Sequence, residues 1–126
     1  MSKALIWFKK VESKFDDIPK RPGVYVISCK CKDGNDHAIY VGQSIDLQGR
    51  IKEHWSESES NKDLKSAISK YPGSMGAYYA EAGKGDLDGI ERYLFDHFEP
   101  QFTDRAPQED PIVVILPNVK KGRVNF

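Results

Sequence analysis

The sequence predicts an α+β domain, with a small central antiparallel sheet (three-stranded core) flanked by helices. Two runs rich in β-branched and aromatic residues, Val24-Tyr25-Val26-Ile27 and Ala38-Ile39-Tyr40-Val41, enclose the dense turn cluster Asp33-Gly34-Asn35-Asp36. That pattern reads as a hairpin with a long loop. A third such run, Met75 to Ala82, lies between helix-periodic stretches. Strands this close in sequence leave no room for crossovers, so antiparallel pairing is favoured.

Along the chain, residues 3–15 place Leu5, Phe8, Val11 and Phe15 three, three and four apart, with charged residues between. This is amphipathic helix spacing; the alternative is a strand over Ala4 to Phe8. Ile18-Pro19-Lys20-Arg21-Pro22-Gly23 then breaks any helix twice, because proline lacks a donor and fixes φ. The first strand is expected from about Gly23 to Cys29 and the second from Ala38 to about Val41. Ser44 is suited to cap a helix starting at Ile45, whose buried stripe is Leu47, Ile51 and Trp55. Gly49 weakens that helix by up to about 1 kcal/mol relative to alanine, so packing must sustain it.

Ser56-Glu57-Ser58-Glu59-Ser60 reads as a polar connector. Asn61 or Ser60 caps a second helix through Tyr71, closed by Pro72-Gly73. After the third strand, Gly83-Lys84-Gly85 turns and Asp86 caps a helix to about Phe98. Its apolar face is Leu87, Ile90, Leu94 and Phe98, and Pro100 ends it. The run Ile112-Val113-Val114-Ile115-Leu116, bounded by Pro111 and Pro117, reads as a short buried or interface strand. The organisation is therefore an N-terminal helical extension over residues 1–17, a central domain over 18–105, and a C-terminal extension over 106–126. The two extensions each carry an apolar face, and either cover one another or form a homodimer interface.

At 126 residues the chain suits one domain, and 19 basic residues balance 19 acidic ones. Zero net charge argues against a protein that coats nucleic acid over its whole surface, because phosphate neutralisation needs a basic excess. A local basic patch is compatible: through residue 30 seven Lys/Arg meet three acids. No run has the roughly 18 apolar residues of a membrane span, and nothing resembles a signal peptide, so the chain reads as cytoplasmic. Cys29 and Cys31 are too close for an unstrained mutual disulfide. With His37 they suggest a metal clip lacking the second ligand pair of a structural zinc site, and the plainer reading is strand end and turn.

Chemistry gathers at five residues. Arg50 and His54 are four apart on one helix, beside the Leu47–Ile51 stripe, so they stack at the margin of the core. A guanidinium there can grip phosphate oxygens with parallel donors and stabilise added negative charge. Glu91 borders the apolar face of its helix, where a single carboxylate suits Mg²⁺ or Mn²⁺, which keeps most of its waters and takes phosphate oxygens. Tyr25 and Tyr40 lie on paired strands. A tyrosine near pKa 10 is a poor base unless a neighbouring cation lowers it.

The runs Gly23-Val24-Tyr25 and Tyr40-Val41-Gly42, Arg50 ten residues beyond Tyr40, His54, and Glu91 in a late helix ending in Pro-x-Phe resemble the GIY-YIG nuclease family. The likeness covers about Ile18 to Arg105. It implies a metal-dependent endonuclease acting on DNA phosphodiesters. Tyr40 would then be general base, Arg50 the stabiliser of the scissile phosphate, His54 a proton-transfer or phosphate-holding group, and Glu91 the ligand of Mg²⁺ or Mn²⁺. Tyr25 is the tyrosine of the first run. Three departures stand out: a longer loop between the tyrosines, Thr103 where the family commonly has asparagine, and Gln43 where some members carry lysine. The last two, with the zero net charge, favour the alternative of a non-catalytic nucleic-acid or protein interaction module. Either way the five residues must converge. Glu91 turned away from Arg50, with their helices on opposite sides of the sheet, would count against the nuclease.

Overall fold

The computed structural model describes residues 2–12, 14–103 and 105–122. The chain runs β1 (Lys9–Lys10), β2 (Gly23–Lys30), β3 (Asp36–Ser44), α1 (Leu47–His54), α2 (Lys62–Lys70), β4 (Met75–Glu81) and α3 (Leu87–Phe98). The four strands form one antiparallel sheet in the order β1-β4-β2-β3, so β2 is central and β3 is an edge. Gly34 turns the hairpin at φ 80°, a left-handed conformation that glycine adopts without strain.

The period-two alternation of β2 sends its side chains into two cores. Val24 and Val26 pack with Leu87, Ile90, Leu94 and Phe98 of α3. Tyr25 and Ile27 pack with Leu47 and Ile51 of α1 and with Leu64 and Ile68 of α2. Helix α3 thus covers one face of the sheet, and α1 and α2 cover the other. Among the described residues no helix is long and apolar enough to cross a membrane.

The N-terminal segment corrects the helix expected over residues 3–15. It runs extended, Lys9 and Lys10 pair with Tyr79 and Tyr78, and a single 3₁₀ turn follows at Phe15–Asp17; Ser13 lies outside the described residues. The physical reason is the unpaired edge of β4, whose backbone groups take the segment as a further strand. Ile6 turns inward while Leu5 and Trp7 stay exposed, the alternation of an extended chain.

The C-terminal run at residues 112–116 is likewise not a strand. Val113 makes an isolated bridge to Lys3, with Ala4 N–H donating to Val113 O at 3.0 Å. The two extensions cover each other, Ile6 and Val114 joining the core beneath α3.

The helix starts differ in detail from the expected ones. Asp46, not Ser44, caps α1, its carboxylate accepting from Gly49 N–H at 3.1 Å, and the helix begins at Leu47. Asn61 caps α2 by accepting from Leu64 N–H, and that helix ends at Lys70. Asp86 holds the cap position of α3 without a side-chain cap bond.

Candidate active site

Tyr25 is opposite Gly42 in the hairpin register, and its ring is 1% exposed. A Cβ at Gly42 would lie 2.4 Å from the Tyr25 hydroxyl oxygen, so the glycine of Tyr40-Val41-Gly42 is the space the buried ring occupies. Between Ile27 and Ser28 the register slips by one, leaving Ile39 and Tyr40 together opposite Ile27. The unbroken register from Gly42 to Tyr40 sets Tyr40 on the Tyr25 side by ordinary alternation, and the bulge brings Ile39 into the same core. The two rings stack with centroids 6.2 Å apart.

On α1 the buried Leu47–Ile51 stripe carries His54 further inward than its spacing suggested. His54 is not at the core margin but 1% exposed. Its Nε2 lies 2.7 Å from the Tyr25 hydroxyl, and its Nδ1 contacts the Glu59 carboxylate. The other Glu59 oxygen accepts from Asn61 N–H at 2.8 Å. The polarity of this chain follows from the inventory of donors and acceptors. A carboxylate accepts, so Nδ1 carries the hydrogen; Nε2 of the neutral ring accepts, so Tyr25 O–H donates. Burial, aided by the Arg50 guanidinium, holds His54 well below the usual histidine range against the opposing pull of Glu59. Burial and the neighbouring Tyr40 lift the Tyr25 phenol well above 10.

Glu59 was not singled out by sequence. It sits in the connector 56–60, whose Ser/Glu alternation distinguishes neither Glu57 nor Glu59. The connector is folded back by Ser56, which donates to Glu53 O at 2.7 Å and accepts from Ser58 N–H at 3.2 Å. Glu57 is consequently left in solvent and the Glu59 side chain is 1% exposed.

Arg50 remains half-buried, with its guanidinium 3.0 Å from Glu53 and 3.9 Å from Glu59. Tyr40 packs edge-on against the His54 ring at 4.8 Å. Burial raises the Tyr40 phenol, and Arg50 pulls it down without overcoming that rise. The protein alone therefore leaves Tyr40 protonated, and a lowered phenol would require a further cation.

Glu91 lies on α3, on the face opposite α1, yet it does not turn away from the site. Its charge raises both the Tyr25 and the Tyr40 phenols, so it lies within electrostatic reach of the two hydroxyls. Burial, with Asp88 nearby, raises its carboxyl to about 7. Among the described residues no basic side chain pairs with it. A partly dry carboxylate without a counter-ion is a fitting ligand for a divalent cation.

Two of the sequence departures brace this edge. Thr103 Oγ1 accepts from Val41 N–H at 2.9 Å and donates to Val41 O at 3.3 Å, pinning the backbone beside Tyr40. The Gln43 amide donates to Asp88 at the start of α3. The cysteine–histidine clip is not formed as expected: Cys29 points into the core shared with Tyr25, where burial pushes its thiol to about 11.

The family model of the GIY-YIG catalytic domain matches residues 21–105. Among curated proteins, UvrABC system protein C of Trichormus variabilis is 29% identical over 95 residues, covering 75% of this chain. The same-named protein of Clostridioides difficile is 33% identical over 51 residues, covering 40% of this chain. The chain spans 14% and 8% of the length of those two relatives. In structure it is similar to the GIY-YIG N-terminal endonuclease domain of UvrC from Thermotoga maritima, in a point mutant bound to its catalytic divalent cation. The TM-score is 0.53 at 19% identity, over 72% of this chain and 91% of that one.

Proposed function

The chain belongs to the GIY-YIG catalytic domain family, and from that premise we propose that it is a divalent-metal-dependent endonuclease hydrolysing phosphodiester bonds in DNA. The observation that carries the reading is the buried chain Tyr25–His54–Glu59 set beside Tyr40, Arg50 and the unpaired Glu91. A structural core gains nothing from a fully buried carboxylate–imidazole pair that an apolar pair would not supply as well. A site that must hold one hydroxyl in one direction does.

Glu91 would hold Mg²⁺ or Mn²⁺, which when bound supplies charge neutralisation at the phosphate and a more acidic water. The other roles belong to the chain itself. Arg50 grips the scissile phosphate and meets the charge that grows on it. Tyr40, at the open side of the pair, would take the proton of the attacking water as phenolate, its own proton having gone to solvent. Tyr25 donates to the neutral His54 ring at Nε2 and Glu59 holds the opposite ring hydrogen at Nδ1, so this chain fixes the direction of the Tyr25 hydroxyl beside Tyr40. Thr103 does the bracing for which the family commonly uses asparagine, so its presence does not disable the site.

Single-turnover cleavage at saturating Mg²⁺ or Mn²⁺, beside DNA binding by fluorescence anisotropy at fixed salt, tests this. Cleavage by wild type but not by Arg50→Ala supports it. Measurable binding with no cleavage of single-stranded, duplex or branched DNA by either metal assigns the chain to the non-catalytic interaction module instead.

A further inference from the structure

We propose that the turn joining β2 to β3 binds a transition-metal ion of the zinc class through Cys31 Sγ, the Asp33 carboxylate and His37 Nε2. This site is separate from Glu91 and does not depend on the nuclease reading. The three ligand atoms lie within 4.8 Å of one another. Cys31 lies six residues along the chain from Tyr25, roughly 20 Å at 3.4 Å per residue.

The argument rests on the histidine. His37 Nδ1 is 2.7 Å from the backbone carbonyl of Lys121. A carbonyl accepts, so Nδ1 carries the hydrogen and a neutral ring presents a lone pair at Nε2. That lone pair faces Asp33 Oδ2 at 3.0 Å. Nitrogen and carboxylate oxygen at that distance share a positive centre, either a proton on Nε2 or a metal ion in its place. An N–H donated to a backbone carbonyl or carboxylate from the ring nitrogen opposite the metal is the arrangement that orients a metal-binding imidazole, and here Nδ1–H to Lys121 O supplies it.

The loop is built to hold the set. Gly34 N–H donates to Cys31 O at 3.0 Å, Cys31 N–H to Asn35 O at 3.1 Å, and Asn35 N–H to the second Asp33 oxygen at 2.9 Å. Imidazole and thiolate with one carboxylate select a borderline-soft ion such as Zn²⁺ over Mg²⁺, and three protein ligands leave one tetrahedral position for water.

The site also reaches the C-terminal extension. Lys120 N–H donates to Asp36 O at 2.8 Å and Ala38 N–H to Lys120 O at 2.9 Å, beside the His37–Lys121 bond. An ion on Nε2 would therefore fasten residues 120–121 onto the hairpin.

The test is titration of chelator-treated full chain with Co²⁺ as the spectroscopic substitute for Zn²⁺. The expected result is a near-ultraviolet thiolate-to-cobalt band saturating at one equivalent, displaced by Zn²⁺ and not by Mg²⁺. The band should vanish in Cys31→Ser, be lost or strongly weakened in His37→Ala, and persist in Cys29→Ala and Glu91→Gln. Zn²⁺ should raise the Tm of wild type and leave that of Cys31→Ser unchanged, which also shows that the variant is folded. No band, or one that survives Cys31→Ser and disappears in Cys29→Ala, would overturn the proposal and leave Asp33 and His37 as an ion pair.

Discussion

Replacing Glu59 by glutamine changes one oxygen to an NH₂ inside a pocket that admits almost no water. In the native protein both carboxylate oxygens are in use, one at His54 Nδ1 and the other at Asn61 N–H, 2.8 Å away. Glutamine has one acceptor for two donors. If its oxygen serves Asn61, its NH₂ meets Nδ1, and the ring must move its hydrogen to Nε2 and reverse the Tyr25 hydrogen bond. If its oxygen serves His54, two donors oppose each other at Asn61, which also caps α2.

Either arrangement leaves a buried polar group poorly satisfied, at a cost of about 1–3 kcal/mol. Truncation to alanine removes the whole partner of a buried pair and should cost roughly 3–5 kcal/mol. The cleavage rate of Glu59→Gln should fall more steeply than its stability, by roughly 10²–10⁴, as when an amide replaces the carboxylate that orients a catalytic histidine. Urea unfolding gives the first quantity and single-turnover cleavage the second, while ring-nitrogen NMR shifts of His54 report the tautomer. A Glu59→Gln variant with wild-type stability, rate and His54 tautomer would refute the oriented-chain reasoning.

Four further outcomes are expected. Arg50→Ala should lose roughly 3–4 kcal/mol of transition-state stabilisation, seen as a rate loss far larger than its change in DNA affinity. Glu91→Gln should abolish cleavage, leave DNA affinity intact or higher, and stabilise the metal-free protein to urea by removing an unpaired, partly buried carboxylate; wild-type cleavage by this variant would mean that another group holds the metal. Gly42→Ala drives a methyl into the rigid Tyr25 ring, so it should destabilise by about 1–3 kcal/mol and slow cleavage, and a neutral result would place the ring elsewhere. His54 carries a folded-state pKa depressed below its unfolded value. As pH falls below about 6.5 the unfolded chain binds a proton the folded one refuses, and the stability that is fully present above that pH is lost at about 1.4 kcal/mol per unit. Urea midpoints from pH 7.5 to 5 should show this slope in wild type and not in His54→Gln.

The sequence by itself determined the hairpin, because two runs rich in β-branched and aromatic residues on either side of Asp33-Gly34-Asn35-Asp36 are a local signal with a local cause. It also determined α3, where Leu87, Ile90, Leu94 and Phe98 repeat on one helical face. The order Tyr25, Tyr40, Arg50, His54, Glu91 was legible because a family motif is written in residue types. Only the tertiary structure decided the rest. The segment at residues 3–15 had apolar spacing that suited a helix, but the open edge of β4 outweighed it, since unpaired backbone groups at a sheet edge take any chain that can lie extended there. The bulge at Ile39 brought that side chain into the core around Tyr25, and a serine-braced connector swung Glu59 rather than Glu57 under His54. Cys29 went into one core while Asp33 joined Cys31 and His37 outside it. Each of these is a contact between polar groups distant in sequence or at a strand irregularity. Periodicity records which face of an element is buried, and is silent on which charge that burial brings to meet another.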